Sequence, residues 1–426
     1  MSAGTITRVH ARRVWDSRGR PTVEAEVTLQ GGATGRAIAP AGASRGTREA
    51  IDLRDGGKNF GGFGVEQAVV NVTGEIAKAL KGLDACNQFA VDTTLIHLDG
   101  TSNKARLGGN ATVAVSLAAA QAAAASRSLP LWRYIAGDNA VSLPLPEIQI
   151  FGGGAHASRA LDLQDLMVMP IGATSFADAL AMVAEIYRAA GELLADAGKL
   201  AGVADEGGFW PAFATNEEAL VTLVRAIEHA GFRPGHDAAL SLDIAASELL
   251  RDGRYTLALE KRTLDRGQMS DMMLGWLRRF PIVSIEDPFG EDDRTAWIEF
   301  ARAAPRQVQI IGDDYLTTNA PRVEAAAAER SCNAVLIKVN QAGTLTEAKA
   351  ALDAGKRARF GTIVSARSGE TEDVAIAHLA VGWNAGQLKV GSFARSERMA
   401  KWNEVLRIEE ALGSHATYTG ASALPV

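Results

Sequence analysis

A rhythm in the second part of this chain limits its fold more than any other feature. Short apolar runs recur at 161–169, 240–246, 282–287, 308–313, 334–340, 361–367 and 387–391, each followed by a helical pattern. Many of the later intervals are about 23–28 residues, the length of one strand-plus-helix unit. Continuous apolar strands alternating with helices imply a parallel sheet covered on both faces. This many units within about 290 residues favours a closed α/β barrel of (β/α)8 type over an open sheet.

The first part reads differently. Residues Ile6–Trp15, Pro21–Leu29 and 33–38 are rich in β-formers, and Arg18-Gly19-Arg20 and Gly31-Gly32 punctuate them as turns. This predicts a three-stranded antiparallel meander. The small, glycine-bearing stretch 39–47 predicts a mobile surface loop, and helical patterns follow at 65–81 and 110–127. We expect a small N-terminal α+β capping domain over 1–135 and a barrel over 140–426, parted near Pro144-Leu145-Pro146.

Composition narrows the function. Lys+Arg is 44 against 50 for Asp+Glu, a net charge of -6, which excludes a generally basic nucleic-acid binder. The 47% hydrophobic content excludes a disordered chain. Cys86 and Cys332 are too few for a disulfide framework and lack metal-ligand spacing. The first residues carry no apolar signal region, and no run of about 18 strongly apolar residues is present. A cytoplasmic protein with no membrane partner is expected. Only eleven lysines are present, so a lysine in an apolar run is informative.

In a parallel barrel, function gathers at the C-terminal ends of the strands. The polar residues there form an ordered set. Asp165 lies within the first run, and Asp205-Glu206 follow 201–204. Asp243, Glu286-Asp287 and Asp313-Asp314 end three successive runs; Lys338, Arg367-Ser368 and Lys389 belong to the last three. One carboxylate at a strand end is more often a helix cap than a ligand. A single strand lysine is more often a snorkelling edge residue. Together, carboxylates from three consecutive strands would repel one another and imply a divalent cation. Oxygen ligands without a His pair or Cys favour Mg²⁺ or Mn²⁺ over Zn²⁺. Beside a dication, Lys338 would have a lowered pKa and could serve as a general base, which arginine could not. An ion pair with neighbouring carboxylates is the plainer role for each lysine.

The chain resembles the enolase family. The resemblance is carried by Asp16-Ser17-Arg18-Gly19-Arg20-Pro21-Thr22-Val23-Glu24, Gly42-Ala43-Ser44, Asp205-Glu206-Gly207-Gly208-Phe209 and Ser284-Ile285-Glu286-Asp287-Pro288-Phe289. It continues through Leu336-Ile337-Lys338-Val339-Asn340-Gln341, Arg367-Ser368-Gly369-Glu370-Thr371-Glu372-Asp373 and Arg395-Ser396-Glu397-Arg398. It covers nearly the whole chain. It implies a capped, irregular (β/α)8 barrel, a homodimer or homo-octamer, two Mg²⁺ ions and a small phosphorylated carboxylic acid as substrate. It also implies dehydration of 2-phosphoglycerate, a glycolytic hydro-lyase reaction. By position, Asp243, Glu286 and Asp313 look like ligands of one Mg²⁺, and Ser44 on a closing loop like a ligand of the second. Lys338 looks like the base and Glu206 like the acid. Lys389 would hold the substrate carboxylate, and Arg367 and Ser368 the phosphate. His156 and the Gln164-Asp165 pair also match active-site positions.

Several of those positions depart from the family pattern. Ala366 replaces a histidine, and Asp165 replaces a glutamate, retracting the carboxylate by roughly 1 Å. Gly152 replaces an asparagine, Ala41 and Arg45 replace a serine and a threonine in the lid, and Trp210 replaces a small residue. Two further readings therefore stand beside the first. One is a paralogue that keeps α-proton abstraction on a phosphonate or another phosphorylated hydroxy acid. The other is a catalytically weak binding scaffold.

Overall fold

The computed structural model describes residues 2–43, 45–157 and 161–425, and of residue 156 the backbone only. Three antiparallel strands open the chain, β1 (Ile6–Trp15), β2 (Pro21–Leu29) and β3 (Thr34–Ile38), in the order β1-β2-β3. The β1–β2 turn is fixed by Asp16, whose Oδ1 accepts the N–H groups of Arg18 at 2.8 Å and Arg20 at 2.9 Å. Helix Gly109–Ser126 lies on β2 and β3. Its alanines let the backbones meet: a Cβ at Gly35 would lie 2.1 Å from the Ala122 nitrogen and 2.2 Å from the Ala118 oxygen. The expected helix at 65–81 is present as Glu66–Asn71 and Ala77–Leu80, joined through a wide π turn at Val72–Ile76. Helix Gln88–Asp99 was not foreseen; its marks are the cap Asn87, which accepts the Ala90 N–H at 3.1 Å, and the left-handed Gly100 past its end.

The barrel closes on eight strands: β4 (Leu145–Gly152), β5 (Asp165–Met169), β6 (Ala239–Asp243), β7 (Ile282–Glu286), β8 (Gln309–Gly312), β9 (Ala334–Ile337), β10 (Gly361–Ser365) and β11 (Gly386–Ser392). β11 pairs with β4 to complete the ring. Outer helices start at Ser175, Thr215, Asp265, Asn319 and Thr344, each capping the N–H of the third helical residue. Among the described residues, no helix is long and apolar enough to cross a membrane.

Two expectations about the barrel are corrected. The first barrel strand is β4, not the run at 161–169. It is buried throughout, but Pro146, Glu147 and Gln149 interrupt its apolar pattern. And β5 runs antiparallel to both neighbours, so the barrel is not all-parallel. Among its described residues the Gly152–Asp165 connection holds only the short 3-10 turn Gly154–His156, and the chain returns antiparallel. This reversal puts the first residue of β5, Asp165, opposite Asp243, the last residue of β6. Beside β4, a hairpin of Leu200–Val203 and Phe209–Pro211 presents Glu206 at its turn.

Candidate active site

Reversed β5 and the C-terminal ends of the parallel strands bring most of the expected residues onto one rim. One pocket there is lined by Gln164, Asp165, Glu206, Asp243, Lys338, Ala366, Arg367, Ser368 and Lys389. Glu286 and Asp313 join it through the two lysines. Lys389 Nζ lies 2.8 Å from Glu286 Oε2, 3.0 Å from Asp243 Oδ2 and 3.4 Å from Asp165 Oδ2. Lys338 Nζ is paired with Asp313 Oδ2. Gln164 donates to Asp243 Oδ2 at 3.1 Å. Ser44 lies outside the described residues. His156 closes a 3-10 turn, Gly154–His156, between β4 and β5, and its side chain lies outside the description.

The electrostatics follow from burial and pairing. Burial opposes the charge on Lys389, yet Asp243 and Glu286 outweigh it and hold the ammonium well above its usual range. Burial and the charge of Asp243 push Glu286 well above the carboxylate range. Burial alone would raise Asp313, but Lys338 and Arg367 hold it below. Lys338 is the counter-charge of Asp313 among these side chains. Burial works to lower it, but Asp313 prevails, so among these side chains its pKa is raised. The lowering argued from the sequence presupposed a dication neutralising the carboxylates.

Among the described residues, the group of three carboxylates whose oxygens lie within 4.8 Å of one another is Asp287, Asp313 and Asp314, which shares only Asp313 with the expected set. Asp287 has a different task. Its oxygens accept the N–H groups of Asp313 at 2.9 Å and Asp314 at 2.8 Å, so it shapes the turn after β8. Asp243 and Glu286 are instead bridged by Lys389. The donor set still fits a hard cation. It supplies carboxylates from three adjacent strands, and Glu286 Oε1 is buried with no hydrogen-bond partner among the described residues.

Several site contacts were not foreseen. Arg367 is buried against Glu49, with NH1 2.9 Å from Oε2 and NH2 3.3 Å from Oε1, and NH1 also donates to Asn340 Oδ1 at 3.1 Å. Gln341 bridges Asp313 Oδ1 at 2.8 Å and Glu49 Oε1 at 3.2 Å. Glu49 stands 318 positions from Arg367, a pairing that no local pattern signals. Glu147 lies in register with Lys389 on the neighbouring strand and is fully buried. Its Oε2 accepts the Ser241 hydroxyl at 3.1 Å, and burial pushes the carboxyl up to about 7 against the pull of Lys389.

Residues 39–43 of the expected loop are packed against the barrel. Ala39, Ala41 and Gly42 are buried, and Ala41 exchanges backbone hydrogen bonds with Gly369 at 2.9 and 2.8 Å. Ala43 N–H donates to Ser368 Oγ at 2.7 Å. The segment leading to Ser44 is thus docked on the Arg367–Ser368 wall. Arg45 is exposed, with Asp52 at 3.9 Å. Gly152 has a steric reason, since a Cβ there would lie 2.4 Å from Ala204 Cβ.

Comparison with known families agrees with this architecture. Residues 6–135 match the family described as "Enolase, N-terminal domain", and residues 140–425 match "Enolase, C-terminal TIM barrel domain". With both matches spanning nearly the whole sequence, over a closed barrel whose rim carries buried carboxylates and lysines, the chain belongs to the enolase family and is an enolase-superfamily lyase.

Proposed function

We propose that the protein dehydrates 2-phosphoglycerate to phosphoenolpyruvate, with Lys338 as base and Glu206 as acid. The observation that carries this reading is the shared pocket, in which Lys338 and Glu206 are flanked by two further buried cations, Lys389 and Arg367. Lys389 would bind the substrate carboxylate, and Arg367 with Ser368 the phosphate. Lys338 would take the proton from the carbon next to the carboxylate. Glu206 would protonate the β-hydroxyl as its C–O bond breaks, so that water leaves. Asp243, Glu286 and Asp313 would hold Mg²⁺, the family's usual ion, which supplies positive charge where the substrate carboxylate gains electrons. A second Mg²⁺ would draw on Ser44. With carboxylates committed to a dication, Arg367 and Lys389 would dominate the field at Lys338 and lower its pKa.

A second reading rests on Ala366. It forms part of the pocket wall where the family carries an imidazole, which leaves room for a larger phosphonate or phosphorylated hydroxy acid. One assay separates the readings: purified protein, Mg²⁺ and 2-phosphoglycerate, followed by phosphoenolpyruvate absorbance. Ordinary turnover supports the first. A rate lower by several orders, raised by Ala366→His with Asp165→Glu, supports the second. Absence of both turnover and Mg²⁺-dependent α-proton exchange would reject both. Lys338→Ala should abolish that exchange while Mg²⁺ still binds, and persistent exchange would remove Lys338 from the base role.

A further inference from the structure

We propose that Gln149 is a positioning residue that holds Asp165 and the Glu206 turn in one fixed relation. The proposal rests on the lyase reading above. Gln149 is fully buried on β4, inside the barrel. Its Oε1 accepts the Gly208 backbone N–H at 2.8 Å. A backbone N–H can only donate, so this contact fixes the amide orientation. The Nε2 group is then turned to Asp165 Oδ1, to which it donates. The other oxygen of Asp165 faces Lys389 at 3.4 Å. One side chain thus joins a carboxylate on reversed β5 to the turn that carries Glu206.

The turn is built to receive this contact. Ala204 N–H donates to the Gly208 carbonyl at 2.8 Å, and Gly207 N–H to the Ala204 carbonyl at 3.0 Å, so Glu206 sits inside a closed loop. Gly207 has a φ of 97°, a conformation that glycine adopts without strain. A Cβ at Gly208 would lie 2.4 Å from Gln149 Oε1, so the bare backbone is what lets the amide reach it. Ser392 N–H holds the Glu206 carbonyl at 2.9 Å from the far side. The proton-abstracting Lys338 lies on a different strand end and is not part of this linkage. Loss of Gln149 should therefore damage departure of the hydroxyl more than proton removal.

The test uses the full-length protein and four variants. Gln149→Leu keeps the volume but loses both hydrogen bonds. Gln149→Glu keeps the acceptor for Gly208. Gln149→Asn shortens the reach, and Gln149→Asn with Asp165→Glu moves one methylene across the contact. Amide hydrogen exchange at Gly208 should rise at least about tenfold in Gln149→Leu and stay near wild type in Gln149→Glu. With 2-phosphoglycerate and Mg²⁺, dehydration kcat should fall about 10²-fold in Gln149→Leu and Gln149→Asn. KM and the rate of α-proton exchange should stay within about threefold, and the double variant should recover most of kcat. An unchanged kcat, exchange and dehydration falling in step, no recovery in the double variant, or retained Gly208 protection in Gln149→Leu would each overturn the proposal. If the wild-type protein shows no α-proton exchange, the lyase reading fails instead, and Gly208 protection alone decides the role of Gln149.

Discussion

Glu147→Gln should shift stability in favour of the variant as pH rises. Glu147 has no exposed surface, and its carboxyl is pushed from 4.5 up to about 7 by burial, with Lys389 and the Ser241 hydroxyl opposing. A carboxyl raised in the folded state binds its proton more tightly there than in the unfolded chain. Its contribution to stability is therefore complete below about pH 4.5 and is lost as pH rises toward 7. At about 1.4 kcal/mol per tenfold shift, ionisation costs the folded state about 3 kcal/mol at pH 8 and under about 1 kcal/mol at pH 5. Glutamine has the same shape and does not ionise, so it removes that cost. It also brings an amide to a place where Glu147 Oε1 has no hydrogen-bond partner among the described residues. Such a group costs about 1–3 kcal/mol at every pH, so the slope rather than the level carries the test. The assay is urea unfolding of both proteins between pH 5 and 8, followed by tryptophan fluorescence and circular dichroism, with a chelator present. The difference in stability should move in favour of the variant by about 2–3 kcal/mol across that range. A constant difference, or one that moves the other way, would refute the claim that Glu147 is held protonated by burial.

Three further outcomes follow from contacts described above or adjoining them. Asp92→Ala should lower stability by about 2–4 kcal/mol in thermal unfolding, with Asp92→Asn intermediate. The Asp92 carboxylate accepts from Ser116 Oγ at 2.6 Å, from Gln88 at 2.9 Å, and from the Thr346 N–H and hydroxyl at 2.8 and 2.6 Å, which ties the N-terminal helix to a barrel helix. Gly35→Ala should cost about 3 kcal/mol or more, seen as a lower midpoint or loss of soluble protein, because the added methyl meets backbone atoms rather than a side chain that can move. Glu286→Gln should weaken Mg²⁺ binding by at least about 100-fold in calorimetry while the fold persists in circular dichroism, since a ligand change should cost no less than a change in its supporting shell.

The barrel was legible in the sequence because its later strands are buried on both faces and recur with a regular spacing. β4 was not, because strand length and apolar pattern part company there. Glu147 and Gln149 point polar groups into the barrel and find partners only after the ring closes. The direction of β5 lies in its pairing with β4 and β6, which the run of letters does not encode. The site residues at strand ends were legible because chemistry at a barrel rim needs charged groups where apolar residues would otherwise stand. Their pairing was not. Lys389 bridges Asp243 and Glu286, and Asp287 serves backbone N–H groups, which depends on angles that neighbouring letters do not encode. The Glu49–Arg367 pair joins the two ends of the chain, beyond the reach of any periodicity.

That last pair has a consequence for how the molecule can be divided. Arg367 is only 3% exposed, and Glu49 is its carboxylate partner from the N-terminal part of the chain. A barrel expressed without that part would keep the buried guanidinium but lose one of its carboxylate partners, leaving Asp313 and Asp314 as the nearby negative charge, and breaking a buried ion pair costs about 3–5 kcal/mol where measured in other proteins. The excised barrel would have to flood or reshape the very wall assigned to the phosphate. The two matched regions are thus two halves of one electrostatic unit, and any exchange of caps between relatives has to carry the glutamate with it.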